Sequence, residues 1–274
     1  VPRSRLLQIC RRFWNRHIRG QTRLPDFLCV GAQKAGTTTL YHWLAQHPDL
    51  VLPEEKELHY FSLHAQRPPD WYAAWFPRCS ASQKLGEVTP YYLFHPHAAA
   101  RISHLLPQAR LIVLLRDPVE RALSGYFHSR RLGLEPLEIE AAFAAEEHRL
   151  VGADALLGSP DARHPSHQHH SYLSRSRYEQ QLARYQNWFS PSQLLLLRTE
   201  DLFGNPQREW ERILTFLGVP QVPLQSPEER KNAGGGESLQ VTVGFREQLR
   251  QQLAPTYQAL RNNHGLTWDE SRHG

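Results

Sequence analysis

The 274-residue sequence predicts a single α/β domain: a central, mainly parallel sheet flanked by helices. Short, continuously apolar runs recur along the chain, each followed by a segment with apolar residues at i, i+3 and i+4 spacing. A strand that is apolar on every residue is buried on both faces, as parallel strands covered by helical crossovers are. With 40% hydrophobic residues the chain can bury one large core, and no internal repeat or linker-like stretch divides it.

The elements follow in order. Residues 1–24, "VPRSRLLQICRRFWNRHIRGQTRL", are basic with interspersed apolar side chains. They are expected to form a packed or solvated N-terminal segment ahead of a domain over 25–274. "FLCV" (27–30) reads as a short buried strand, and "TTLYHWLAQH" after it sets Leu40, Trp43, Leu44 and His47 on one helical face. "ARISHLL" (100–106) reads as helix, "RLIVLLR" (110–116) as the clearest strand, and "DPVERALSGYFHSRRLG" as a helix with Pro118 in its first turn. "YEQQLARYQNWF" (178–189) aligns Tyr178, Leu182, Tyr185 and Phe189, and "QLLLLR" (193–198) is a further apolar strand. "NPQREWERILTFLG" (205–218) has Asn205 as cap, Pro206 at the start, a Trp210/Ile213/Leu214/Leu217 stripe and Gly218 as the stop. Residues 151–176, rich in Gly, Pro, Ser and His, are expected as a long surface loop or lid. Its histidines, His164, His167, His169 and His170, read as solvated rather than metal-ligating.

Bulk properties exclude several classes. No apolar run approaches the ~18 residues of a membrane span. Cys10, Cys29 and Cys79 show neither CxxC nor zinc spacing, so a disulfide scaffold is not expected and a reducing compartment is. The formal charge of +5 suits an anionic ligand.

"GAQKAGTTTL" (31–40) supplies the chemistry. Gly31 and Gly36 keep the glycine spacing of a Walker loop, but Thr37 stands where the lysine belongs, and Lys34 lies inside the loop. Such a loop wraps backbone N–H groups around one phosphate at a helix N-terminus, with hydroxyls from Thr37, Thr38 and Thr39. Lys34 reaches past that phosphate to its next substituent, so a 5′-phosphate carrying one further group fits better than a magnesium-bound triphosphate. A second anion site follows "RLIVLLR": Arg116 leaves the strand end, and Ser124 lies eight residues on, about two helical turns in. Both loops leave the carboxyl ends of strands, where ligands bind in open α/β sheets.

"FLCVGAQKAGTTTLYHWLAQHPDL" with "LIVLLRDPVERALSGY" resembles the 5′-phosphosulfate loop and 3′-phosphate motif of the sulfotransferases that use PAPS (3′-phosphoadenosine 5′-phosphosulfate). The resemblance covers roughly residues 25 to 220. "KELHYF" (56–61), "DWYAAWFP" (70–77) and "GEVTPYYL" (86–93) are most similar to the heparan sulfate N- and 3-O-sulfotransferase branch and its bacterial relatives. It implies a P-loop-like nucleotide-binding fold and sulfuryl transfer from PAPS to a hydroxyl or amine acceptor, releasing PAP, with no metal. The implied cofactor-binding residues are Gln33, Lys34, Ala35, Gly36, Thr37, Thr38, Thr39, Arg116 and Ser124. Tyr178 joins them either on the adenine or in the core, and Lys231 with Arg230 from the late loop "ERKNAGGGESLQ". Glu57 is the implied base and His59 its rival, facing the same side if the segment is a strand; Lys34 would stabilise the bridging oxygen as charge builds. Glu87 matches a segment near the acceptor, and Val88 stands where the heparan enzymes carry lysine. Those enzymes also have a disulfide around the late loop, whereas this chain has no cysteine after Cys79, which favours a cytoplasmic, bacterial-type enzyme over the Golgi lumen. The expected partners are the nucleotide cosubstrate and its acceptor, not nucleic acid. Two other classes compete: a nucleotide kinase on an altered P-loop, and a non-catalytic module for anionic glycans.

Overall fold

The computed structural model describes residues 23–225, 227 and 241–268. The expectations for residues 1–22, Arg230 and Lys231 lie outside the described residues. Five strands, β1 (Phe27–Gly31), β2 (Leu50–Val51), β3 (Lys84–Val88), β4 (Arg110–Leu115) and β5 (Leu194–Arg198), form one sheet in the order β2-β3-β1-β4-β5. Every pairing is parallel. β1 is the central strand, between β3 and β4, and from Phe27 to Gly31 and Leu111 to Leu115 each residue is buried, as their unbroken apolarity requires.

Seven longer helices accompany the strands: α1 (Thr37–Leu44), α2 (Ala98–Leu105), α3 (Pro118–Arg131), α4 (Tyr178–Gln186), α5 (Pro206–Leu217), α6 (Val243–Gln252) and α7 (Ala254–His264). Asp117 caps α3 by accepting from the Glu120 N–H at 3.0 Å, with Pro118 at the first position where no intrahelical N–H is lost. α5 buries Trp210, Ile213, Leu214 and Leu217 and ends on Gly218 at φ 67°. Asn205 occupies its cap position, but its side chain makes no capping hydrogen bond.

One expectation is corrected. Residues 151–176 are not a loose solvated loop: they contain helical turns at Ala153–Leu156 and Pro165–His169. His167 is 3% exposed and stacks on Phe94 at 4.2 Å between ring centroids. The apolar faces of Phe94 and Tyr91 give this polar-looking sequence a surface to bury against, which local composition does not record. Among the described residues no group of His, Cys, Asp and Glu is placed to hold a metal ion, and no helix is long and apolar enough to cross a membrane.

Candidate functional site

The strand order brings the two anion motifs together. β1 and β4 are neighbours, Gly31 lies in register with Val113, and the Ala32 N–H donates to the Leu114 carbonyl at 2.6 Å. The loop after β1 and the loop after β4 therefore leave the sheet at the same level. Gly31 is required because a Cβ there would sit 2.5 Å from Leu93 Cβ. Gly36 turns the chain into α1 at φ 92°, with the Phe203 ring 3.2 Å from where a side chain would begin. No side chain caps the start of α1, and the first N–H groups of a helix have no intrahelical partner, which suits an anion there.

Lys34 adopts the left-handed conformation (φ 71°) at the loop's turn. Arg116 Nη1 donates to the Lys34 carbonyl at 3.4 Å, and Nη2 lies 3.7 Å from Glu120 Oε2. Burial, and after it the charges of Arg131, Arg116 and Arg121, push the Lys34 ammonium down to about 8. Arg121, Ser124, His128 and Arg131 recur at helical spacing on α3, so three of that stripe's members act on Lys34 or are acted on by it. His128 is pushed down to about 4, first by burial and then by Lys34 and Arg131, and is neutral at pH 7. Ser124, half-buried, lies in the middle of this stripe.

Thr37 and Thr39 are buried at the head of α1, and Thr38 is half-buried. The Thr199 hydroxyl, at the end of β5, is shared between the carbonyls of Ala35 (2.6 Å) and Leu115 (2.9 Å), pinning the β1 loop to the end of β4. Tyr178 is fully buried, and its hydroxyl donates to the Arg116 carbonyl at 3.2 Å. Of the two readings open for Tyr178, this geometry supports the core.

Glu57 and His59 arrive at the same edge by a route other than the expected strand. Both are left-handed, at φ 63° and 55°, in the turn before the short helix Tyr60–Leu63, and the Glu57 N–H donates to the Val88 carbonyl at 3.1 Å. They still meet: His59 Nε2 lies 3.5 Å from Glu57 Oε2, and Lys56 Nζ lies 2.5 Å from Oε1. Burial among neighbouring atoms raises the Glu57 carboxyl, but His59 and Lys56 together outweigh it and hold the group at about 2. With 41% of its side chain exposed, Glu57 remains open to solvent. Its charge also acts on Lys34, His128 and Arg175.

Glu87 is 1% exposed and accepts from the hydroxyls of Tyr72, Thr89 (2.5 Å) and Tyr92 (2.9 Å), while burial pushes its carboxyl up. Its carboxylate is thus enclosed by three hydroxyl donors. Sequence reasoning missed Arg121, His128, Arg131, Arg175 and Thr199. The α3 stripe was legible from its 3–4 residue spacing; the other two join the site only through tertiary contacts.

A family model described as sulfotransferase domain matches residues 24–232. Human heparan sulfate glucosamine 3-O-sulfotransferase 6 is 32% identical over 203 residues, covering 74% of this chain and 55% of its own length. The mouse bifunctional heparan sulfate N-deacetylase/N-sulfotransferase 4 is 31% identical over 204 residues, 72% of this chain and 22% of its own. The chain thus spans about half, or less, of these curated relatives. Among solved structures, a sulfotransferase from Alicyclobacillus acidocaldarius superposes with a TM-score of 0.71 at 27% identity, covering 88% of this chain and 95% of that one.

Proposed function

The chain belongs to the sulfotransferase family, and from that premise we propose that it moves a sulfuryl group from PAPS to a hydroxyl or amine acceptor, glycan-like or a small alcohol, with Glu57 as base. The observation that carries the reading is the shared strand-end level of the two anion motifs, with the Arg116 guanidinium against the Lys34 carbonyl and Lys34 pushed down to about 8 by burial and by the arginines around it. Cations held this close repel one another, and a bisphosphorylated nucleotide relieves that repulsion from both ends.

When bound, PAPS supplies a sulfuryl group whose bond to the 5′-phosphate breaks as a bond to the acceptor forms. The chain's own residues then have distinct tasks. The β1 loop amides, the α1 N-terminus and Thr37 to Thr39 hold the 5′-phosphate, with Gln33, Ala35 and Gly36 shaping the turn. Lys34 offers its ammonium to the phosphate oxygen that gains charge as it leaves. Arg116 and Ser124 take the 3′-phosphate by a charge-assisted bond and a hydroxyl bond, with Lys231 from the late loop. Glu57, ionised throughout the neutral range, accepts the acceptor's proton; His59 orients its Oε2. A carboxylate held at about 2 is a weak base, so its proton transfer comes late, once attack has made the acceptor proton acidic. A reducing compartment belongs to the same proposal.

Titration calorimetry with PAP, with ATP and Mg²⁺, and with heparin tests it. Binding of PAP alone is expected. Preference for ATP–Mg²⁺ would favour the kinase reading and preference for heparin the glycan-binding one; Thr37 in the Walker lysine's place counts against the first.

A further inference from the structure

Arg175 is a buried cation that the reading above leaves without a task. It is 2% exposed, and among the described residues no carboxylate lies within ion-pair distance of it. Burial pushes it down to about 10, which leaves it charged at neutral pH. Its guanidinium is clamped from several sides. Nη2 donates to the carbonyls of His167 (2.8 Å) and Gln168 (3.0 Å), and Cζ lies 5.2 Å from the Tyr91 ring and 4.9 Å from the Phe94 ring. Nη1 donates to Oε1 of Gln33, inside the β1 loop, while Nε is buried and has no partner.

The donor chemistry decides the orientation of Gln33. A guanidinium offers only N–H groups, so the Gln33 atom facing it must be the carboxamide oxygen. The amide NH₂ is then the end turned away from Arg175, on a half-buried residue beside Lys34. Gln33 directly precedes Lys34 in the loop that the reading above places against the 5′-phosphosulfate.

We propose that Arg175 is a positioning residue: it fixes the Gln33 carboxamide so that its NH₂ donates to a sulfuryl oxygen of PAPS. The inference rests on the PAPS reading and deepens it. PAP lacks the sulfuryl group, so the donor favours PAPS over PAP, and the ratio of the two affinities reads it without any acceptor.

Calorimetry with PAPS and with PAP on the full chain tests the proposal. A hydrogen bond to a charged group sets the expected size, a drop in the PAPS-over-PAP ratio of about ten-fold in Gln33→Met. Gln33→Glu separates positioning from scaffolding. It strengthens the contact to Arg175 into an ion pair yet removes the donor, so the ratio falls at least as far as in Gln33→Met; a purely structural role for the contact predicts an unchanged ratio. Arg175→Lys, which loses the planar fork, lowers the ratio in the wild-type background and has no further effect on it in Gln33→Met. An unchanged ratio in both Gln33 variants, or independent multiplying effects of the two sites, overturns the proposal, and the Gln33 variants decide it alone should Arg175→Lys not fold. A wild-type chain that binds neither nucleotide would instead overturn the PAPS reading, and this inference with it.

Discussion

The crowding around Lys34 makes a prediction about pH that can be followed through. The ammonium is pushed from its ordinary 10.5 to about 8 by burial and by Arg131, Arg116 and Arg121. An anionic ligand against it reverses those effects and returns the group toward its ordinary value, so PAP binding takes up a proton wherever free Lys34 has lost one. The phosphates of PAP have second pKa values near 6 and are ionised throughout the window of interest. Affinity is therefore level up to about pH 7.5 and falls above it, by about ten-fold at pH 9 and about 30-fold at pH 9.5, toward a ceiling of about 300-fold set by the gap between about 8 and the ordinary 10.5. Calorimetry in paired buffers of different ionisation heat should read an uptake approaching one proton near pH 9. Lys34→Met should bind more weakly at pH 7 and lose the slope. Stability of the free chain carries the opposite sign. Between about 8 and 10.5 the unfolded chain holds more protons at this lysine than the folded one, so its contribution makes the fold more stable as pH rises, the cost being fully present below 8. PAP affinity that stays level from pH 7.5 to 9.5, or that falls equally in Lys34→Met, would refute the convergence of cations on this ammonium.

Glu57→Gln should keep PAP affinity within a few-fold while slowing sulfuryl transfer by about 10²–10⁴-fold in a labelled-PAPS assay across an acceptor panel; normal turnover there, with His59→Ala inactive, would move the base to His59. Burial pushes His95 down to about 3 and His167 down to about 2, with nearby arginines adding to it, so both fold neutral. Their contribution to stability is present above about pH 6.5 and is lost as pH falls below it, by about 3 kcal/mol for the pair at pH 5.5 in urea unfolding, and His167→Phe should remove roughly half of that slope. Glu87→Leu leaves the buried hydroxyls of Tyr72, Thr89 and Tyr92 without their acceptor and should cost at least about 3 kcal/mol, seen as a lowered Tm.

The parts of this fold that were legible in the sequence are those that repeat one chemistry along the chain. β1, β4 and β5 are apolar at nearly every position, and α5 shows its buried stripe and both end signals, so each is specified locally. β3 was not read as a strand, because Gly86 and Glu87 interrupt its apolar run. A carboxylate is admissible in a central strand only when hydroxyls from elsewhere satisfy it, and here they come from Tyr72, Thr89 and Tyr92. The same reasoning explains the site. Lys34 and Arg116 were legible because each sits on its own strand-to-helix turn, and the parallel sheet sets such turns side by side. Glu57 and His59 meet through two left-handed residues, a conformation their side chains do not announce. Arg175 reaches Gln33 across 142 residues of sequence, and the sign of its charge says nothing locally about which partner it will find. A close pair of cations is costly in an empty fold, so the buried framework around them, Thr199 on two loop carbonyls and Tyr178 under Arg116, has to hold the charges in place before an anion arrives. Weakening that framework by Thr199→Val should therefore lower PAP affinity without touching any ligand contact, and free phosphate, too small to bridge both motifs, should not restore it.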